Sequence, residues 1–201
     1  MEKPAETDYP IHDLIRRRWS PRAFSEQMVE PEKLRSLFEA ARWAPSSFNE
    51  QPWRFIVATK EKPDEHARLL SCLVEKNQQW ARRAPVLMVS VASLNFERNG
   101  QPNRHALHDV GQAVAYMSLQ ATAIDLFVHQ MAGFFPEKVI EAFGIAPGFE
   151  PAAAIAVGYA AEAEVLPEAF RAQEAGPRTR KPASSFVFEG HWDQPAKSLL
   201  K

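Results

Sequence analysis

PVLMVSVA, residues 85–92, is apolar from end to end, which suits a β-strand covered on both faces. Working outward, WRFIVAT at residues 53–59 is a short β-branched and aromatic run. PAAAIAVGY at residues 151–159 is a third buried strand candidate. Helical patterns lie around and between them. Pro31 opens a run in which Leu34, Leu37, Phe38 and Ala41 share one face, and the run stops at Pro45. Residues 64–83 read as one helix with Leu69, Leu70, Leu73 and Val74 buried. Residues 107–125 read as a second long helix. Its stripe of Leu107, Val110, Gly111, Val114, Ser118 and Ala121 carries small residues, so a flat surface or another helix can approach closely. Pro136 opens a short helix that ends at Phe143, just before Gly144. Strands alternating with helices predict an α+β chain, α/β-like, with one central sheet flanked by helices.

No repeat, low-complexity run or flexible linker divides the chain, so residues 1–201 are expected to form one domain. From Pro167 the sequence turns polar and proline-punctuated, regaining hydrophobicity only at residues 186–188. Residues 167–201 therefore read as an extended C-terminal arm that packs on another surface, a second subunit being one. The small-residue stripe and this arm together predict a homodimer.

Composition narrows the function classes. With 201 residues, 45% hydrophobic and 24% charged, the chain can bury a substantial core. A formal net charge of −1 gives no global pull toward nucleic acid or an anionic membrane. The longest apolar stretches are about half the length a membrane helix needs. The first ten residues are charged and lack an apolar core, so a cytoplasmic protein is expected. Cys72 is the single cysteine, which excludes an internal disulfide, and its place on an apolar helix side makes it a small core residue.

Familiar nucleotide and hydrolase motifs are missing: no G-x-G, no G-x-x-x-x-G-K-S/T, no G-x-S-x-G and no H-E-x-x-H. His105, His108 and Asp109 form the single metal-like cluster, and without a third indicated ligand they read as solvent-facing or capping residues. No metal site is expected.

Two segments carry chemistry. In RRRWSPRAF, residues 16–24, the spacing Arg18-x-Ser20-x-Arg22 is followed by the apolar anchor Phe24. Pro21 disfavours helix at Ser20, and alternate residues of an extended segment point to one side. Two guanidiniums and a hydroxyl then converge, a good geometry for a phosphate dianion. In APSSFNEQPW, residues 44–53, the polar Ser46, Ser47, Asn49 and Gln51 alternate with rigid or aromatic neighbours in a helix-to-strand loop. An amide side chain beside backbone amides can pair with a planar heterocycle such as the uracil-like edge of a flavin.

In this order and spacing the two segments resemble the nitroreductase family, which carries R-x-S-x-R/K-x-F/Y and then A-P-S-S/A-x-N-x-Q-P-W. HQMAGF (129–134) with PEKV (136–139), GFEPAAAIAVGY (148–159) and RTRKP (178–182) with FVFEGHW (186–192) are similar to further family stretches. The resemblance implies a nitroreductase-type fold with a mostly antiparallel central sheet flanked by helices, dimeric, its C-terminal arm exchanged onto the partner. It implies FMN as cofactor, with Arg18, Ser20, Arg22, Arg178 and Arg180 on its phosphate and ribityl chain. Asn49 would meet the pyrimidine edge, and Pro45, Ser46 and Ser47 would line the flavin from the other subunit. Met131, Ala132 and Gly133 would bring backbone amides near N5 and O4. Trp19, Ala132 and Phe135 depart from common family residues.

The implied activity passes electrons from NAD(P)H through flavin to nitroaromatics, quinones or free flavins in a ping-pong sequence. No side chain is named as catalytic acid or base. The alternatives are an FMN enzyme of the same fold with a different reaction, dehydrogenase or flavin-modifying, and a non-enzymatic flavin-binding protein.

Overall fold

The computed structural model of the protein describes residues 3–200; Met1, Glu2 and Lys201, at the ends of the charged N-terminal stretch and of the arm, lie outside it. Four strands form the sheet: β1 (Trp53–Thr59), β2 (Val86–Ser93), β3 (Phe127–Met131) and β4 (Phe149–Gly158). Their order is β1-β2-β4-β3, and every neighbouring pair runs antiparallel. The predicted strands at 53–59, 85–92 and 151–159 are present. β3 is an addition that the sequence reading left unassigned. It is a short edge strand carrying His129 and Gln130, too polar and too brief to stand out.

The apolar run of β2 has a direct cause. Leu87, Val89 and Val91 enter one core cluster with Leu69, Trp80 and Val139, on helices α3 (Pro63–Ser71), α4 (Glu75–Ala81) and α6 (Pro136–Phe143). Val86, Met88 and Ala92 enter a second cluster with Leu37, Val110, Val114 and Met117, on α2 (Pro31–Arg42) and α5 (Ala106–Ala123). A strand between two cores has no face left for polar side chains.

Residues 64–83 are two helices rather than the single one expected. The chain leaves α3 at Cys72 because segment 133–135 competes for its backbone: Val74 N–H donates to Gly133 O at 3.1 Å and Phe135 N–H to Cys72 O at 2.8 Å. Gly133 permits this approach, since a Cβ there would lie 2.6 Å from Asn77 Nδ2 and 2.9 Å from Val74 Cγ2. Cys72 is buried, as expected, and burial pushes its thiol pKa up.

On α5 the expected stripe is rotated. Val110, Val114, Ser118 and Ala121 are buried, but Leu107 is 46% exposed and Gly111 faces outward. The buried arc instead includes Ala106, Ala113 and Met117, because α5 is covered by α2 on one side and the sheet on the other. The C-terminal arm begins as helix α7 (Glu168–Ala175), with Phe170 and Glu174 buried. Past residue 181 Phe186, Trp192 and Leu199 are exposed, Trp192 at 87%. Among the described residues no helix is long and apolar enough to cross a membrane.

Gly158 ends β4 against a rigid wall: a Cβ there would meet Pro85 Cδ at 2.6 Å and Phe24 Cδ1 at 3.2 Å. Neither ring can yield without moving backbone. Gly158→Ala is expected to destabilise the fold by about 1–3 kcal/mol, read as a lower denaturation midpoint with an unchanged slope.

Candidate functional site

Helix α1 (Asp13–Arg17) stops at Arg18, and the chain continues extended. Trp19, Pro21 and Ala23 turn inward and are buried, while Arg18, Ser20 and Arg22 stay on the half-exposed side. The alternation read from the sequence is therefore present. Phe24 anchors the segment, fully buried, and the strand-like run is tied to the end of β4 by Ser25 N–H to Tyr159 O and Ala161 N–H to Ala23 O, both 2.9 Å. From β3, His129 Nδ1–H donates to Pro21 O at 2.8 Å, and its ring lies 4.6 Å from that of Trp80. Burial, reinforced by the nearby Arg22 charge, pushes the His129 pKa down to about 4. The imidazole is neutral at pH 7, so it secures Pro21 without adding charge.

The tail closes the other side. Glu174, 2% exposed, accepts the backbone N–H of Arg22 at 2.8 Å and of Ala23 at 3.0 Å through Oε1, with Oε2 3.9 Å from Arg22 Nη1. Lys3 Nζ donates to the Glu174 carbonyl. Arg178 donates to three backbone carbonyls: Lys3 at 2.6 Å, Arg16 at 2.9 Å and Arg18 at 2.8 Å. A cavity of about 300 Å³ is lined by Arg18, Ser20, Arg22, Glu174, Arg178 and Arg180. Within it Arg18 Nη1 reaches Ser20 Oγ at 3.4 Å. Among the described residues no carboxylate pairs with Arg18, Arg178 or Arg180. Burial first, then the charge of the neighbouring arginines, lowers the pKa of both Arg18 and Arg178. The cradle is thus a cluster of cations short of an anion.

The second segment folds as a strained loop after α2. Ser47–Asn49 form one 3-10 turn, and Phe48, Asn49 and Gln51 hold φ of 55°, 57° and 53°, left-handed values that side chains normally avoid. Four bonds impose the shape. Ser47 N–H donates to Asp109 Oδ2 at 2.9 Å, Asn49 N–H to Ser46 O at 3.0 Å, Gln51 N–H to Ser46 Oγ at 3.1 Å and Gln51 Nε2 to Asn49 O at 2.9 Å. Pro45 and Asn49 are exposed, and the Asn49 side-chain amide bonds to no described residue. Met131, Ala132 and Gly133 sit where β3 ends, fixed by Asn77 Nδ2 donating to Gly133 O at 3.0 Å.

The structure therefore gathers Arg18, Ser20, Arg22, Arg178 and Arg180 in one cavity. Pro45, Ser46, Ser47 and Asn49 form a separate loop that does not line it. Sequence reasoning missed four residues: Glu174, His129, Asn77 and the true role of Asp109. Asp109 had been grouped with His105 and His108. It is buried and braces Ser47, with His108 Nδ1 3.2 Å and Gln112 Nε2 3.4 Å from its other oxygen. An acid on an otherwise apolar helix arc was the one available signal.

His129 predicts a pH dependence. Its folded pKa lies below the ordinary value of 6.5, so the unfolded chain takes up the proton first as pH falls. Stability should be level above pH 6.5 and decline as pH drops toward about 4. Denaturant titrations of wild type and His129→Gln across that range should show a shallower acid decline in the variant.

Comparison with known proteins extends the picture. The sequence profile of the Nitroreductase family matches residues 15–159. A solved structure described as an oxidoreductase containing FMN is 33% identical, covers 93% of this chain and 95% of its own, and superposes with a TM-score of 0.88. A structure from Desulfovibrio desulfuricans, in complex with FMN, is 26% identical over 92% of this chain and 99% of its own, with a TM-score of 0.70. A nitrobenzene nitroreductase of Ectopseudomonas oleovorans is 49% identical over 51 residues, 25% of this chain and 22% of that protein. The family profile spans the sheet and both segments whose chemistry the sequence singled out, and on that match the chain belongs to the Nitroreductase family.

Proposed function

We propose that the chain is an FMN-dependent oxidoreductase that carries electrons from NAD(P)H to a small acceptor: a nitroaromatic, a quinone or a free flavin. The observation that supports it most strongly is the cluster of four arginines around one cavity, of which only Arg22 faces a described carboxylate, Glu174. A phosphate monoester carries about −1.5 to −2 charge at neutral pH and offers three acceptor oxygens, which suits such a cluster. Arg18, Ser20, Arg22 and Arg180 would hold the phosphate and ribityl end. Arg178, its Nη atoms occupied by backbone carbonyls, would shape the cradle and lend its charge. The unpaired amide of Asn49 would meet the pyrimidine edge, with Pro45, Ser46 and Ser47 beside it. The backbone of Met131, Ala132 and Gly133 would face the reactive edge of the ring.

FMN, when bound, supplies two-electron hydride chemistry. The residues of the chain then bind, orient and exclude water, and none need act as acid or base. A nicotinamide that visits transiently requires no G-x-G loop. One site serving donor and acceptor in turn implies ping-pong turnover.

The loop at residues 45–49 stands apart from the cradle, and Leu107, Tyr116, Phe186 and Trp192 are exposed. Both features support a homodimer of one-domain subunits, with residues 181–200 laid on the second copy and each flavin site closed across the interface.

The purified protein should bind one FMN per chain and lose the flavin absorbance band on addition of NAD(P)H. Double-reciprocal plots at several acceptor concentrations should be parallel; intersecting lines, or no affinity for FMN, would refute the reading. The two tail arginines should separate. Arg180→Ala should weaken FMN binding about tenfold, more so in salt, at unchanged thermal stability. Arg178→Ala removes bonds to three carbonyls and should lower the melting temperature as well, as seen in paired fluorescence and thermal titrations.

A further inference from the structure

Phe48 is the most costly residue in the strained loop. A bulky aromatic at φ 55° is a conformational outlier, and this one is also 73% exposed, so it gains little burial in return. The ring is nonetheless held in place. The Arg98 guanidinium lies 4.4 Å from its centroid, and Phe96 meets it edge-on at 5.8 Å with an interplanar angle of 83°. Phe96 and Arg98 belong to a tight turn closed by Gly100 N–H to Phe96 O at 2.8 Å. Arg98 also lies 5.2 Å from the Phe96 ring.

The charge of Arg98 is not neutralised nearby. Among the described residues no carboxylate pairs with it. The adjacent acids are engaged elsewhere: Glu97 pairs with Arg54 at 3.1 Å, and Glu50 accepts the Glu97 N–H at 2.6 Å. Phe48 thus remains largely exposed to solvent, in contact with a guanidinium that no described carboxylate neutralises, one residue before Asn49.

We propose that Phe48, Phe96 and Arg98 form a specificity-determining platform for planar, electron-poor aromatic acceptors that carry an anionic substituent. The assignment rests on the reading above, in which residues 45–49 border the flavin. The negative face of the Phe48 ring favours stacking with an electron-poor ring, and Arg98 receives the anionic group. Binding itself makes and breaks no bond. Reduction of a nitro group there consumes two electrons and two protons, giving nitroso and water; NAD(P)H supplies a hydride and solvent the remaining proton.

The test uses the FMN-loaded protein and two isosteric acceptors, 4-nitrobenzoate and uncharged 4-nitrobenzamide. Arg98→Gln should raise KM for nitrobenzoate about five- to tenfold and leave that for nitrobenzamide within about twofold, with kcat unchanged. Phe48→Leu should raise KM for both, about three- to tenfold. Benzoate, which is not reduced, should perturb the bound-flavin spectrum of wild type, and require a higher concentration to do so in Arg98→Gln. Equal effects of Arg98→Gln on both acceptors, or none on either, would overturn the platform. So would a change in dimer dissociation without a change in KM, which would make the trio an interface contact. A wild type that binds FMN and is reduced by NAD(P)H but never discriminates overturns the platform alone; one that binds no FMN overturns the functional reading and this inference with it.

Discussion

A carboxylate removed from water is expensive unless donors and a counter-charge replace the water; Glu174 Oε1 caps the backbone N–H groups of Arg22 and Ala23, and Oε2 lies 3.9 Å from Arg22 Nη1. That single contact decides where the C-terminal helix can dock. It also fixes which way Arg22 points, because the peptide that carries it is gripped from below. Arg178 then adds a second clasp on the carbonyls of Lys3, Arg16 and Arg18. Acid and guanidinium divide the labour: one binds the N–H groups of the N-terminal segment, the other its C=O groups. The arginines left facing the cavity crowd one another, and an anion relieves that repulsion.

Asp109 applies the same device to the second segment. The left-handed residues at 48, 49 and 51 would each relax in an isolated peptide, at a gain on the order of 1 kcal/mol. They are held because a buried acid on α5 accepts the Ser47 N–H. Both segments are therefore irregular backbone disciplined by a carboxylate from a helix, and the sheet contributes a rigid platform rather than reacting groups.

Much of this was legible. The strands on both sides of the core declare themselves through uninterrupted apolar runs, and the period of two in Arg18, Ser20 and Arg22 survives intact because Trp19, Pro21 and Ala23 fill the opposite side. What escaped depends on partners distant in sequence. The break at residues 72–74 is made by residues 133–135, some sixty positions away, and no local propensity reports it. β3 hides because an edge strand with His129 and Gln130 lacks a pattern. The bracing roles of Glu174 and Asp109 escaped because the groups they brace, the N–H of Arg22, Ala23 and Ser47, are distant backbone that leaves no trace in side-chain identity. The stripe on α5 was misplaced by a rotation because a helix wedged between another helix and a sheet buries a broad arc, not a seam.

The clasp between Lys3 and residues 174–178 joins segments far apart in sequence, Lys3 and Arg178 being separated by 175 positions. A ribosome releases a chain N-terminal side first, so Arg18, Ser20 and Arg22 emerge before their clasp, with Glu174 following Arg22 by 152 positions. Sheet and helices can assemble in the interval. The cradle cannot: its arginines come together only once the segment carrying Glu174, Arg178 and Arg180 has been made, later than every strand of the sheet.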